Sequence, residues 1–423
     1  MMGDLPQRPM KVAKRSALEL DSVNFLTAAM QTAFGAFVIV YLVKNRWPPQ
    51  DAGLALTVST LCSLITQIPA GACIDSVRDK RYPVLGGIVG VGLAALLLCV
   101  TVTKLGVFLA LAVQGLASSF IAPGIAAISL ALVGQAALSE RVGRNARYAS
   151  IGNGLAAGVM GVAGSYLPAT SAFVVAATLT LPALLSLLLI GPGVTADASW
   201  GPEAQRAKVG LTRKGVKSLL LDRRLAIFAA CIVLFFAASA AIGPGLTGRV
   251  TEHRPELATL VVAVTILLPQ AIVAAISPWI GRRAETSGRR PMLLLGWGLV
   301  PLQGLAFAIL AGPYAFVPCY LLNAVSGAVF GVMMTVVAAD LTQRTGWFNL
   351  ALGMLGVAIS VGASASTFLG GLALAAFGET VAASGLALAG LCGLLLMWLA
   401  MPETHPSKDA PGGRAGTGPG PER

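Results

Sequence analysis

The chain has 423 residues, 56% of them apolar and 11% charged, with a mean hydropathy of +0.79 and a formal net charge of +12. A soluble domain carries about a quarter charged residues, so water is excluded as the solvent for most of this surface. The positive surplus lies between the apolar runs without interleaved aromatic residues, which argues against a nucleic-acid partner.

Arg8, Lys11, Lys14 and Arg15 precede the first apolar run. That run is too long for a signal peptide and lacks a small-residue cleavage site, so it reads as a retained first span. Runs of about 20 residues then recur, each long enough to cross the hydrocarbon layer as a helix. They cover 20–43, 51–74, 83–103, 105–135, 146–168 and 170–191, then 225–247, 256–281, 291–311, 313–340, 347–376 and 380–401. Backbone groups in lipid must bond within their own segment, and the ten-residue alternation of a barrel is missing. The predicted fold is an all-α membrane protein of twelve transmembrane helices.

Between the sixth and seventh runs lies the longest polar stretch, Gly191–Leu225, rich in Gly, Pro and charge. It reads as a linker with a short amphipathic helix around Lys214–Arg224 on the membrane surface. The predicted units are a six-helix bundle over 1–190, a cytoplasmic linker over 191–224, a second six-helix bundle over 225–402 and a disordered cytoplasmic tail over 403–423. Five bases, Lys44, Arg46, Lys104, Arg249 and Arg254, fall on one side of the twelve spans, and the other 25 of the 30 fall on the opposite side. The positive-inside rule then puts both termini in the cytoplasm of a cell whose inner membrane holds the protein. The six cysteines lie in or beside spans without metal-type pairing, so packing is their expected role.

The two halves repeat. GACIDSVRDKR (Gly71–Arg81) and GRRAETSGRRP (Gly281–Pro291) superpose at an offset of 210, which pairs Gly71 with Gly281, Asp75 with Glu285 and Lys80 with Arg290. This pattern of glycine, acid, glycine and bases resembles the signature of the major facilitator superfamily, and the MPET at Met401–Thr404 is similar to the close of many members. The second copy follows the signature through Gly281, Ala284, Glu285, Gly288, Arg289 and Arg290. The first departs from it, with Arg78 for the second glycine and Asp79 for a base. The resemblance implies two pseudo-symmetric bundles that rock about a central cavity. It also implies a gate in which Asp75 and Glu285 latch the cytoplasmic side, with Lys80, Arg81, Arg289 and Arg290 beside them and Arg144, Arg147 and Arg344 as partners. An acid there can accept from a neighbouring helix N-terminus, where the dipole favours negative charge. The alternative is that the bases only fix topology and solvate the loops.

No GxxxxGK[ST] phosphate loop is present, so the chain carries no ATP motor of its own. Intramembrane ionisable groups usually mark coupling sites, and none falls at mid-membrane here. Asp21, at the start of the first run, is either a helix N-cap or the coupling acid for protons; Asp340 ends the tenth. The drug-efflux branch resembled here carries an arginine before a Gln-Gly pair. This chain keeps Gln114-Gly115 but has Leu111 at the arginine's place. Gly154, Gly158, Gly161 and Gly164 form a small-residue face expected to pack tightly, with Val159 where that branch has proline. Family topology would put Gln31, Gln114 and Asn323 at a central cavity with Phe34 and Phe235 as its aromatic wall. A neutral cavity suits an apolar or weakly polar small molecule.

The expected function is secondary transport by alternating access, exporting such a compound, as a monomer in the lipid bilayer without a cofactor and without catalysis. An importer or facilitator of a neutral metabolite, or a non-transporting polytopic receptor, are the alternatives.

Overall fold

The computed structural model describes residues 10–191, 219, 221–242, 258–310, 316–343 and 345–405. Among them the chain forms thirteen helices: α1 (Met10–Thr32), α2 (Ala36–Lys44), α3 (Pro49–Ser76), α4 (Arg81–Val100), α5 (Lys104–Val133), α6 (Leu138–Tyr166), α7 (Ser171–Leu189), α8 (Arg223–Ser239), α9 (Ala258–Ser287), α10 (Arg289–Ile309), α11 (Phe316–Thr342), α12 (Phe348–Phe377) and α13 (Glu379–Ala400). α1 and α2 together make the first span, so the number of crossings is the twelve expected. Most boundaries fall within a few residues of the apolar runs, because lipid forces each run to satisfy its own backbone. Most of the predicted linker and all of the tail beyond His405 lie outside the described residues, as does Arg344.

Three features depart from expectation. The first span is broken at residues 33–35, where Phe34 and Gly35 donate to the carbonyls of Gln31 and Thr32 at 3.0 and 3.2 Å. These three-residue turns replace the helical ladder. Thr32 Oγ1 lies 3.0 Å from Ala28 O and 3.1 Å from Asn153 Oδ1 of α6, so its one hydroxyl proton serves the helix or the neighbouring span. Second, α6 begins at Leu138 instead of 146, so Arg141, Arg144 and Arg147 stand on a helix and not in a loop. Third, the segment after α13 is not free from residue 403 onward. Glu403 accepts from the backbone N–H of Arg289 at 2.8 Å and of Arg290 at 3.2 Å, which caps α10.

One apolar core, around Ile88, Phe173 and Met160, lies within the first half; another, around Phe228, Trp297 and Val336, reaches across to Ala72, Leu130 and Val142 of the first half. Outside them, leucines and isoleucines such as Ile65, Leu181 and Leu399 are more than 70% exposed. In water such a belt would be a liability, and in lipid it is the proper solvent-facing surface. The halves meet chiefly along two helix pairs, α3 with α12 and α6 with α9, with smaller contacts of α11 on α6 and of α12 on α5. This seam positions the site.

Candidate gate and central cavity

The motif residues at the end of α3 sit on the seam. Asp75 is 3% exposed. Its Oδ1 accepts from the Asn349 backbone N–H at 3.1 Å and from Asn349 Nδ2 at 2.8 Å, and its Oδ2 accepts from the Leu350 N–H at 2.8 Å. Asn349 and Leu350 open α12. The carboxylate therefore caps a helix of the other half, whose first N–H groups have no partner inside the helix. At the 210 offset, Glu285 Oε1 accepts from the Ser139 N–H in the first turn of α6 at 3.3 Å. The repeat read in the sequence is thus a repeat of contacts.

Glycine makes the approach possible. A Cβ on Gly71 would collide with the carbonyl of Asn349, on Gly281 with that of Ser139, on Gly143 with that of Ser277, and on Gly353 with that of Gln67. Every one of these pairs maps onto another at the same offset. The same four carbonyl-bearing residues also carry Gln67 Oε1, Ser139 Oγ, Ser277 Oγ and Asn349 Oδ1, all buried without a partner among the described residues. Sequence reasoning missed Gly143 and Gly353, although their 210 spacing was available. It expected tight packing instead at Gly154, Gly158, Gly161 and Gly164. The last three have nothing within 4 Å of a built Cβ, and Gly154 has only Gln270 Cβ at 3.6 Å.

The bases work inside their own halves. Lys80 Nζ donates to Ile74 O at 2.9 Å, and Arg289 Nη1 donates to Ala284 O at 2.9 Å. These carbonyls are 210 apart, so Arg289, and not Arg290, is the counterpart of Lys80 in closing the preceding helix. Arg81 donates to Ile190 O and Arg290 to Trp398 O, each at 2.7 Å, tying the next helix to the last span of its half. Gly288 takes φ of 98°, which its partner position Arg78 does not. The first loop turns without a left-handed residue and therefore dispenses with the second glycine. Arg289 also holds Asp340 at 3.1 Å, both side chains being 1% exposed, and Asp340 Oδ1 accepts from Gln135 Nε2 at 2.9 Å across the seam.

Asp21 lies well inside α1, so the N-cap alternative is overturned. Its carboxylate is held by Arg141 Nη2 and Arg144 Nη2 at 2.5 Å each, both from α6. Arg141, 5% exposed, also donates to Ala17 O at 3.2 Å and to Asn145 Oδ1 at 2.8 Å, and Asn145 Nδ2 donates to Ser129 Oγ at 2.7 Å. Arg144 is therefore spoken for by Asp21 and by the ring of Tyr148 at 5.8 Å, and does not reach the latch acids. Arg147 is exposed and pairs with no acid among the described residues.

Above this triad, a cavity of about 220 Å³ opens between α1, α5, α6 and α11. Its polar lining is Asn24, Thr27, Gln31, Asn145 and Thr335. Of the residues expected there, Gln31 is present. Gln114 instead accepts from Ser59 Oγ at 2.6 Å and joins α5 to α3. Phe34 packs against Phe173 at 5.9 Å between ring centres. Phe235, 3% exposed, is enclosed by Trp297 and Phe330 at 4.9 and 5.2 Å in the core of the second half. Asn323 is half-buried on α11 and is not part of this lining. Asn145 escaped notice because α6 starts earlier than the hydropathy suggests.

Two related helical bundles, joined at a seam of capped helix ends below a cavity, define the class: a polytopic membrane transporter. The model of the Major Facilitator Superfamily matches residues 20–346. The chain belongs to this superfamily. It is 31% identical over 396 residues to an uncharacterized MFS-type transporter of Mycobacterium tuberculosis strain H37Rv, covering 93% of this chain and 94% of that protein. A shorter match, 32% identity over 99 residues, covers 23% of this chain and 24% of the class B tetracycline resistance protein of Escherichia coli. Among solved structures, the MFS transporter FucP in its outward conformation aligns with a TM-score of 0.72 at 14% identity, covering 90% of this chain and 97% of that one. The human organic anion transporter MFSD10 aligns at 0.68 with 15% identity, covering 92% and 100%.

Proposed function

We propose that the protein is a secondary active transporter of the inner membrane, working by alternating access with the Asp75 and Glu285 end toward the cytoplasm. The observation that carries this reading is the symmetric pair of acid caps across the seam, Asp75 on α12 and Glu285 on α6. Each joins one half to the other and must break if the halves rock, while the bases around them stay within their own half. A small neutral cavity immediately above fits an apolar or weakly polar cargo. Export is favoured over import by the partial likeness to a protein named for tetracycline resistance.

The test is a distance measurement between spin labels at Arg78→Cys and Arg282→Cys, both exposed at this end. Hydrogen bonds to a charged group contribute about 1.5–3 kcal/mol each. Asp75→Ala, which removes three of them, is expected to raise the separated population at least tenfold, with Glu285→Ala adding to it. Unchanged distances together with normal transport would sink the latch.

Asp21, three residues before the cavity-lining Asn24, is the proposed coupling group. Asp21→Asn is expected to abolish pH-gradient-driven accumulation in inverted vesicles while downhill equilibration of the same compound persists. Gradient-driven accumulation at the wild-type rate would remove Asp21 from this role.

A further inference from the structure

We infer that the cavity recognises a neutral molecule through the molecule's own hydrogen-bond donors, a hydroxyl or an amide N–H on an otherwise apolar body. This rests on the transporter reading and names the chemistry of its cargo.

Two amide oxygens of the polar lining have no donor among the described residues. Asn24 Nδ2 donates to Leu20 O at 2.7 Å, and Gln31 Nε2 donates to Thr27 O at 3.1 Å. A backbone carbonyl can only accept, so each amide nitrogen must lie on the helix side and each amide oxygen turns away from it. Neither Asn24 Oδ1 nor Gln31 Oε1 accepts a hydrogen bond from the described residues. Neighbouring groups do not supply that donor: Thr27 Oγ1 donates to Val23 O at 2.6 Å, and Asn145 has Nδ2 on Ser129 and Oδ1 on Arg141. On the facing half Thr335 adds one hydroxyl, which can accept or donate. The remaining wall, including Ile121, Ile125 and Val142, is apolar.

The charge beneath the site removes two other ligand classes. Asp21 with Arg141 and Arg144 is one negative against two positive charges, a turn of α1 below Asn24. Its surplus positive charge repels an ammonium. An anion would set its acceptors against the amide oxygens of Asn24 and Gln31 and leave those oxygens without a donor, and Arg141 has its guanidinium spent on Asp21, Asn145 and Ala17. A neutral donor is the complement that remains. At about 220 Å³ the space is below the roughly 300–1,000 Å³ of sites for drug-sized ligands, so the bound part has on the order of ten non-hydrogen atoms.

The experiment titrates the full chain in lipid nanodiscs with 1-naphthol and with 1-methoxynaphthalene, subtracting partition into empty nanodiscs. The two share an apolar body and differ by the donor. The naphthol is expected to bind about tenfold more tightly, and Gln31→Leu is expected to bring the two toward parity, as is Asn24→Leu. Both substitutions remove an amide that, among the described residues, bonds only its own helix, and having two variants guards against one misfolding. Equal binding of the two probes, binding of neither up to their solubility, or a preference untouched in both variants overturns the inference. So does tighter binding of 1-naphthylmethylammonium. If a negative result comes while Asp75→Ala still opens the basic end, only the cargo chemistry fails. If that variant also fails to open it, the transporter mechanism fails with it.

Discussion

At the scale of single residues, Glu403 illustrates how a short polar tail becomes structural. Burial works against its charge, yet N–H donors from Arg289, His405, Arg290 and Thr404 hold its carboxyl below the ordinary 4.5. An acid with a depressed pKa stabilises the fold above its ordinary value and loses that contribution as pH falls through the depressed one. Glu403→Gln is therefore expected to melt at a lower temperature than the parent at pH 7. The difference should shrink as pH falls below 4.5, which thermal unfolding at a series of pH values checks. The sequence drew attention to MPET only through resemblance, because a lone acid after the last span has no periodicity to mark its partners. Asp21 was visible as the odd charge beside the first apolar run. Its partners Arg141 and Arg144 were not, because arginines end an apolar run and conceal that the helix has already begun at Leu138.

At the scale of helices, the seam depends on four glycines rather than on complementary side chains. Gly71→Ala would place a methyl group on the carbonyl of Asn349, and backbone on both sides leaves it no room to yield. It is expected to shift the spin-label distances at the basic end toward separation as strongly as Asp75→Ala does. Gly158→Ala, with open space around it, is expected to leave them unchanged. A Gly158→Ala effect equal to that of Gly71→Ala would mean that helix propensity, not contact, is being measured. Closure also takes Gln67 Oε1, Ser277 Oγ, Ser139 Oγ and Asn349 Oδ1 out of bulk water without a partner among the described residues. Such groups limit how stable the closed seam can become, which suits a contact that must reopen. Helix position was legible from hydropathy, since the bilayer enforces it. Which helix face meets its neighbour was not, because an Ala- and Gly-rich span shows no polar stripe to orient it. The break at 33–35 was likewise hidden inside a continuous apolar run.

For the whole molecule, the twelve crossings and the 210-residue repeat were readable before any coordinates, and the lysines and arginines assigned an orientation. That assignment predicts the outcome of a labelling experiment. In right-side-out vesicles, Arg78→Cys is expected to resist an impermeant maleimide until the membrane is opened, whereas Arg46→Cys at the opposite end reacts at once. Native exposed cysteines Cys73 and Cys392 are first replaced by serine. The reverse pattern would invert the molecule and with it the direction of transport.

One consequence reaches beyond this chain's present cargo. The seam is built from carbonyls, helix N-termini and glycines, while the cavity is lined by a different set of side chains on α1, α5, α6 and α11. Substitutions at Gln31, Asn24 or Thr335 can alter what is carried without rewriting the closure, because no cross-seam contact described for the gate uses those three side chains. Cargo preference is in that sense a separable, evolvable part, free to diverge among descendants that keep the same moving frame.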